Sequence, residues 1–261
     1  MLPRQLYCFD NGTGRDQGLS FVEQAALLAG AGYRGMGMYT GTRRLPEVLA
    51  ALDARQLDLA AIYVHSFTDG SGPRMEPGLP DAARQLAGRQ TMLALTLRGR
   101  GSLGPDNVRQ VGAMAAVHGL RVCLYPHFGF AVETAMDAIR LIEECGLDNV
   151  GLVLNFHHEM HFRWRRCGDL APDWPSLLSR ILGHTWLVSL NGIRRQGDDA
   201  VVDRLDRGVA DARSFLAALQ SGGYAGPVAI QAYQVPASLA GNLEASRGAY
   251  ERLLSSLEGA G

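Results

Sequence analysis

The chain has 261 residues, a formal net charge of −1 and 25 basic residues, every one of them arginine. The near-neutral balance excludes a general polyanion binder, and the lack of lysine excludes Schiff-base chemistry on a lysine, a lysine general base and a phosphate-loop lysine. An apolar fraction of 47% with 20% charged residues fits a soluble globular protein, and a chain this long buries roughly three quarters of its unfolded surface, so folding requires neither disulfide nor metal.

Apolar runs and helical spacing alternate along the chain. Gln5–Asp10 reads as a first strand, after an N-terminus without a signal-peptide core. Ser20-Phe21-Val22-Glu23 has the form of a capping box, and Gly30-Ala31-Gly32 closes the helix it opens. Gly35–Tyr39 is the second strand, and Leu45–Leu57 repeats apolar residues at helical spacing. Leu59–Ser66 and Thr91–Leu97 follow as strands, and Pro105-Asp106 starts a helix running to Gly119. After the strand Arg121–His127, a helix over Glu133–Cys145 turns Ala138, Leu141, Ile142 and Cys145 to one face and stops at Gly146. Val150–His157 and Thr185–Asn191 are the next strands. Ala210–Leu219 is a helix ending before Gly222-Gly223, Pro227–Tyr233 the eighth strand, and Leu239 to Leu257 the last helix.

The eight runs start 24 to 42 residues apart and are continuously apolar, as parallel strands covered on both faces are. Eight such units in this length predict an α/β fold, a (βα)8 barrel forming one domain over residues 1–261. The alternative, a doubly wound open sheet, lacks its fingerprint: Asn11-Gly12-Thr13-Gly14-Arg15 follows the first strand and is not GxGxxG. The extra residues of the last units, Phe162–Pro175 and Arg194–Gly208, are expected as loops over the barrel mouth. Cys8, Cys123, Cys145 and Cys167 form no CxxC and read as buried free thiols of a reducing compartment. No apolar stretch of about 18 residues exists, so the expectation is a cytoplasmic, non-membrane protein.

Chemistry in such barrels sits at the carboxyl ends of the strands. There the sequence places His65, His127, His157 and His158, four of its seven histidines. Each has a plain alternative reading as a loop-capping residue. Alternation along the strands puts Tyr125, Asn155, Ser189 and Gln231 in one inward layer, with His127, His157, Asn191 and Tyr233 in the layer above. His158-Glu159-Met160-His161 is one residue short of the HExxH metalloprotease spacing.

The stretch from Val122 onward carries Tyr125-Pro126-His127, a threonine-opened helix at Thr134, Asn149-Val150-Gly151-Leu152, Asn155 and His158. With Leu205–Gln231 and the early Ala31-Gly32-Tyr33-Arg34-Gly35-Met36-Gly37, it resembles the xylose isomerase-like TIM barrel superfamily of sugar isomerases, epimerases and dehydratases. The resemblance implies one divalent metal held by Glu, Asp, His and Glu on strands five to eight. Residue by residue, those positions are Tyr125, Asn155, Ser189 and Gln231. Neutral groups replace every charged or imidazole ligand, and without carboxylate charge they hold a hard cation weakly. The resemblance also implies a retained histidine at His158 and an arginine following the strand-seven ligand, at Arg194 or Arg195.

The reading is therefore a divergent member without the usual metal and with no cofactor expected. A new cluster of His127 and His157 with His65 or Asp10 is the alternative metal site. The expected function is isomerase-, epimerase- or lyase-like proton transfer on a sugar-like or carbonyl compound, independent of metal. His127 and His158 are the catalytic candidates. His65, Tyr125, Asn155, His157, Ser189, Asn191, Arg195, Gln231 and Tyr233 are the substrate-binding ones. Two alternatives stay open: a non-catalytic descendant that binds a sugar or a partner protein, and a hydrolase or biosynthetic enzyme on the same scaffold. The expected partner is a small molecule, not nucleic acid or membrane, and the sequence is compatible with a homo-oligomer.

Overall fold

In the computed structural model, which describes residues 1–39, 42–68, 72–98, 104–236 and 238–259, strand and helix alternate from the start. The elements are β1 (Leu6–Phe9), α1 (Phe21–Gly30), β2 (Gly35–Met38), α2 (Leu45–Asp53), β3 (Asp58–Thr68), β4 (Pro73–Met75), α3 (Leu79–Leu86), β5 (Met92–Leu97) and α4 (Pro105–Ala116). They continue with β6 (Val122–Leu124), α5 (Ala135–Cys145), β7 (Val150–Asn155), α6 (Phe156–Cys167), α7 (Trp174–Ile181), β8 (Thr185–Leu190), β9 (Gly192–Gln196), β10 (Asp199–Asp203), α8 (Ala212–Ser221), β11 (Val228–Ile230) and α9 (Leu239–Glu258).

Strands β2, β1, β11, β8, β7, β6, β5 and β3 pair in that order, and β2 pairs with β3 to close the sheet. Each of these pairings is parallel, which makes the sheet an eight-stranded (βα)8 barrel. β4 adds antiparallel to β3 beyond it. Among the described residues no helix is long and apolar enough to cross a membrane.

Local signals set the helix ends. Ser20 and Glu23 complete the capping box of α1, and Thr134 with Asp137 forms another at α5. Gly146 stops α5 in the left-handed region, at φ 66°. Outward strand residues pack with the helices in one large core. Inward residues form a second, small core of Phe9, Ala61, Tyr63, Met92, Ala94, Cys123, Tyr125, Val153, Leu187 and Ala229. Gly37 makes room for it, since a Cβ there would stand 2.3 Å from the Phe9 ring.

Several expectations require correction. The strand runs Arg121–His127 and Pro227–Tyr233 shorten to Val122–Leu124 and Val228–Ile230, so His127 and Tyr233 lie beyond the strands. Phe162–Pro175 and Arg194–Gly208 are loops only in part: α6 takes in residues up to Cys167 and α7 starts at Trp174, and β9 and β10 form an antiparallel hairpin ending at Asp203. The sixth strand run ends at Asn155 instead of His157, because the Asn155 side chain caps a helix beginning at Phe156. Cys8, Cys123 and Cys145 are buried free thiols, but Cys167, at the end of α6, is exposed.

A candidate active site at the barrel mouth

The inward register continues upward from the small core. Tyr125, Asn155, Ser189 and Gln231 each lie two residues beyond an inward core residue (Cys123, Val153, Leu187 and Ala229), so they project into the barrel above it. They are joined by hydrogen bonds. Ala232 N–H donates to Asn11 Oδ1 at 3.2 Å, which leaves the Asn11 amide nitrogen to donate to Gln231 Oε1 at 2.5 Å. Gln231 Nε2 then donates to the Tyr63 hydroxyl at 2.9 Å. From the other side, His158 N–H donates to Asn155 Oδ1 at 3.0 Å, and Asn155 Nδ2 donates to the Tyr125 hydroxyl and, at 3.4 Å, to Ser189 Oγ. The rings of Tyr63 and Tyr125 meet edge to face, 4.8 Å between centroids. Burial raises both phenols' pKa, so both keep their protons.

Four imidazoles stand over this floor. His127 comes from the loop after β6, and His157, His158 and His161 from the first turns of α6. The His127 and His158 ring centroids are 4.0 Å apart, and those of His157 and His158 5.0 Å. Backbone carbonyls fix three tautomers, because a carbonyl accepts only from a protonated nitrogen. His127 Nδ1 donates to Phe128 O at 2.8 Å, which leaves Nε2 as the acceptor. His157 Nε2 and His161 Nδ1 both donate to Ala200 O of the β9–β10 hairpin, at 2.8 and 2.9 Å. His158 Nδ1 is buried with no partner among the described residues.

Desolvation is the main cause of every resolved histidine shift in this wall. It lowers His127 and pushes His157 down to about 4, each opposed by the bond to a backbone carbonyl. His158 falls well below the usual range, first through burial and then through its imidazole neighbours. The three are therefore neutral at neutral pH and present base nitrogens. Next to them on α6, Glu159 is raised to about 7 by burial, although Ala135 N–H donates to it at 2.5 Å.

Floor and wall border a cavity of about 810 Å³, with Arg15, Asp16, Tyr39, Phe128, Val202, Tyr233 and Gln234 completing the lining. Arg15 reaches Asp10 at 3.1 Å and Asp16 at 2.8 Å, and its guanidinium lies 5.2 Å from the Tyr39 ring centre. Of the candidates named from the sequence, Tyr125, His127, Asn155, His157, His158, Gln231 and Tyr233 line this cavity. Tyr233 is half exposed at its rim.

The other four do not line it. Ser189 is buried beneath, bonded to Asn155. His65 is held by Thr96, Nδ1 to Oγ1 at 2.5 Å, and burial takes its pKa down to about 4. Asn191 is fully buried and donates to Gly192 O at 2.6 Å. Arg195 stacks over Trp164 at 4.3 Å, outside the cavity. The expected upper layer is therefore not a layer: His127 leaves from a loop, His157 from a helix and Asn191 is beneath the surface.

Sequence reasoning did not select Asn11, Arg15, Asp16 or His161. His161 had a signal, its i,i+4 spacing from His157 once a helix is recognised at Phe156. Asn11 and Arg15 lie in the stretch weighed only against a dinucleotide fingerprint.

The floor layer does not fit a divalent metal. Its four side chains carry no charge, and the amides of Asn155 and Gln231 are already bonded within the layer and its neighbours. Among the described residues no group of three or more His, Cys, Asp or Glu side chains is placed to hold a metal ion, the alternative cluster of His127 and His157 with His65 or Asp10 included.

The chain is similar in fold to many solved structures. The IOLI protein, solved with a bound zinc atom, superposes with a TM-score of 0.74 at 14% identity, covering 97% of this chain and 99% of that one. The 3-keto-D-glucoside 4-epimerase YcjR from E. coli gives 0.63 at 16% identity, covering 90% and 94%. The probable 3-DHS dehydratase AsbF from Bacillus anthracis gives 0.69 at 14%, covering 95% and 98%. No curated protein matches the chain. The family model of the xylose isomerase-like TIM barrel matches residues 104–253, which contain β6, β7, β8 and β11 and the floor and histidine wall they carry. The chain belongs to the xylose isomerase-like TIM barrel family.

Proposed function

We propose that the protein is an isomerase-, epimerase- or lyase-like enzyme that moves a carbon-bound proton beside a carbonyl in a sugar-like small molecule, with imidazole in place of metal. The observation that carries this reading is the His127–His158 pair, 4.0 Å between ring centroids in the wall of the cavity at the barrel mouth. His127 is the proton acceptor: Phe128 O holds its Nδ1–H, which leaves Nε2 free and stabilises the imidazolium that forms. His158, buried and with Nδ1 unpaired, anchors or protonates the substrate. Asn155, Gln231 and Tyr125 suit hydroxyl and carbonyl recognition, and Tyr39 and Tyr233 offer ring faces to a sugar.

The names of two fold relatives are consistent with this chemistry. One is a 3-keto-D-glucoside 4-epimerase, whose reacting carbon stands beside a ketone, and the other a probable dehydratase. We assign the reaction to the cytoplasm, on the reading of the four free thiols, and give it no cofactor.

The test is deuterium wash-in. Ketoses, ketoglycosides and keto-polyols are incubated with the protein in D₂O and followed by proton NMR. Exchange at a carbon beside the carbonyl is expected for at least one class, and His127→Ala should slow it about 10²–10⁴-fold. A panel that exchanges no faster than in buffer contradicts the proposal.

A further inference from the structure

We infer that Tyr125 is a catalytic hydrogen-bond donor, its phenolic O–H placed to hold the oxyanion that develops when the carbonyl substrate loses its proton. The inference rests on the proposed proton transfer and follows from counting hydrogens in the floor network. Two backbone N–H groups orient that network from opposite ends. Ala232 N–H fixes Asn11, Asn11 fixes Gln231, and Gln231 must donate to Tyr63. His158 N–H fixes Asn155, which must donate to Tyr125. Each phenol oxygen therefore already accepts one amide hydrogen.

Tyr125 keeps its own proton, since its oxygen accepts from Asn155 and burial raises its pKa. Tyr63 is 1% exposed and does not line the cavity, whereas Tyr125 does. With Asn155 on the Tyr125 oxygen, the phenolic proton of Tyr125 is the one placed toward the cavity. Its oxygen accepts from Asn155, and the accepted bond polarises the remaining O–H and strengthens it as a donor.

The step balances without a co-reactant. His127 Nε2 takes the proton from the carbon beside the carbonyl. The C–H electron pair becomes the carbon–carbon double bond, and the carbonyl π pair moves onto oxygen, where the Tyr125 O–H meets it. Return of the proton to carbon from an imidazolium reverses the electron flow and completes the exchange. A donor aimed at developing charge acts on the transition state more than on the ground state. Tyr125 occupies the position where the family resemblance implies a metal-binding glutamate, so a neutral donor takes the Lewis acid's place.

The test uses glycolohydroxamate, a mimic of an enediolate, and glycolamide, its neutral counterpart, each titrated by calorimetry into the wild-type protein, Tyr125→Phe and Tyr63→Phe. Wild type should prefer the hydroxamate. Tyr125→Phe should lose about 10²-fold of hydroxamate affinity with glycolamide unchanged, and Tyr63→Phe should lose far less. Equal hydroxamate affinity in wild type and Tyr125→Phe overturns the inference. If Tyr125→Phe does not fold, 3-fluorotyrosine at 125 replaces it: the sharper donor should tighten hydroxamate binding, and unchanged affinity overturns the role. Should His127→Ala abolish deuterium wash-in while Tyr125→Phe retains both wash-in and hydroxamate affinity, the Tyr125 role falls alone. A wild type with neither wash-in nor hydroxamate preference removes both.

Discussion

Asn155 Oδ1 accepts the backbone N–H of His158 at 3.0 Å, and this one bond fixes both the start of α6 and the side of the amide that faces Tyr125. The residue that closes a barrel strand thus also orients the histidine wall. Asn155→Ala removes the cap and leaves the Tyr125 oxygen without its amide donor, at a cost of about 0.5–2 kcal/mol for the cap. Asn155→Asp keeps the cap but turns the donor into an acceptor, so the Tyr125 O–H points at the new carboxylate instead of at the cavity. Urea unfolding should rank wild type above Asp and Asp above Ala. Wash-in should be lost in both. Full activity in Asn155→Asp would contradict the orientation of the floor.

Acid should destabilise the fold in a defined window. His157 titrates at about 4 in the folded chain through burial, against an unfolded value near 6.5. The unfolded state therefore binds the proton first. Its contribution to stability is complete above pH 6.5, declines as pH falls and is gone below about 4. Within that window one such histidine gives a slope of about 1.4 kcal/mol per pH unit. His65, also at about 4, adds a second slope of the same sign. Urea midpoints from pH 7 to pH 4 should fall, with a smaller fall in His157→Gln. Midpoints independent of pH would show that these rings are not buried neutral.

The β9–β10 hairpin is tied to α6 by two imidazole N–H groups on one carbonyl, Ala200 O. Ala200 itself is fully buried. With two lone pairs, the carbonyl stays satisfied when either ring is removed. His157→Phe and His161→Phe should each be mild. The double change leaves a buried acceptor unpaired, at about 1–3 kcal/mol beyond the sum of the single changes. Double-mutant unfolding measures this coupling, and strict additivity would mean that the two bonds act independently.

The barrel was legible because its evidence is periodic. Continuous apolar runs at regular spacing, broken by Ser20-Glu23 and Gly146 signals, name strands and helices without tertiary information, and the period of two carried Tyr125, Asn155, Ser189 and Gln231 to the inner face. Reading failed where tertiary bonds override local pattern. Phe156–Cys167 is polar and has no strong helical stripe, so a helix starting on the Asn155 cap was not visible, and His161 was left out with it. The hairpin at Arg194–Gly208 depends on pairing between β9 and β10 and on the Ala200 clamp. Asn191 and Arg195 had the right polarity at the right strand end. Asn191 is turned into the protein, and Arg195 is drawn away by Trp164.

The central claim is proton transfer by imidazole without metal, and it is tested most directly by the pH dependence of wash-in after exhaustive chelation. The base form of His127 is needed, and burial sets its pKa below 6.5. The rate should therefore rise with pH along an acid limb below 6.5, stay flat through neutrality, and be the same with and without chelator. His127→Gln should abolish that limb together with the rate. Loss of exchange on chelation, restored by adding a divalent metal, would contradict the account.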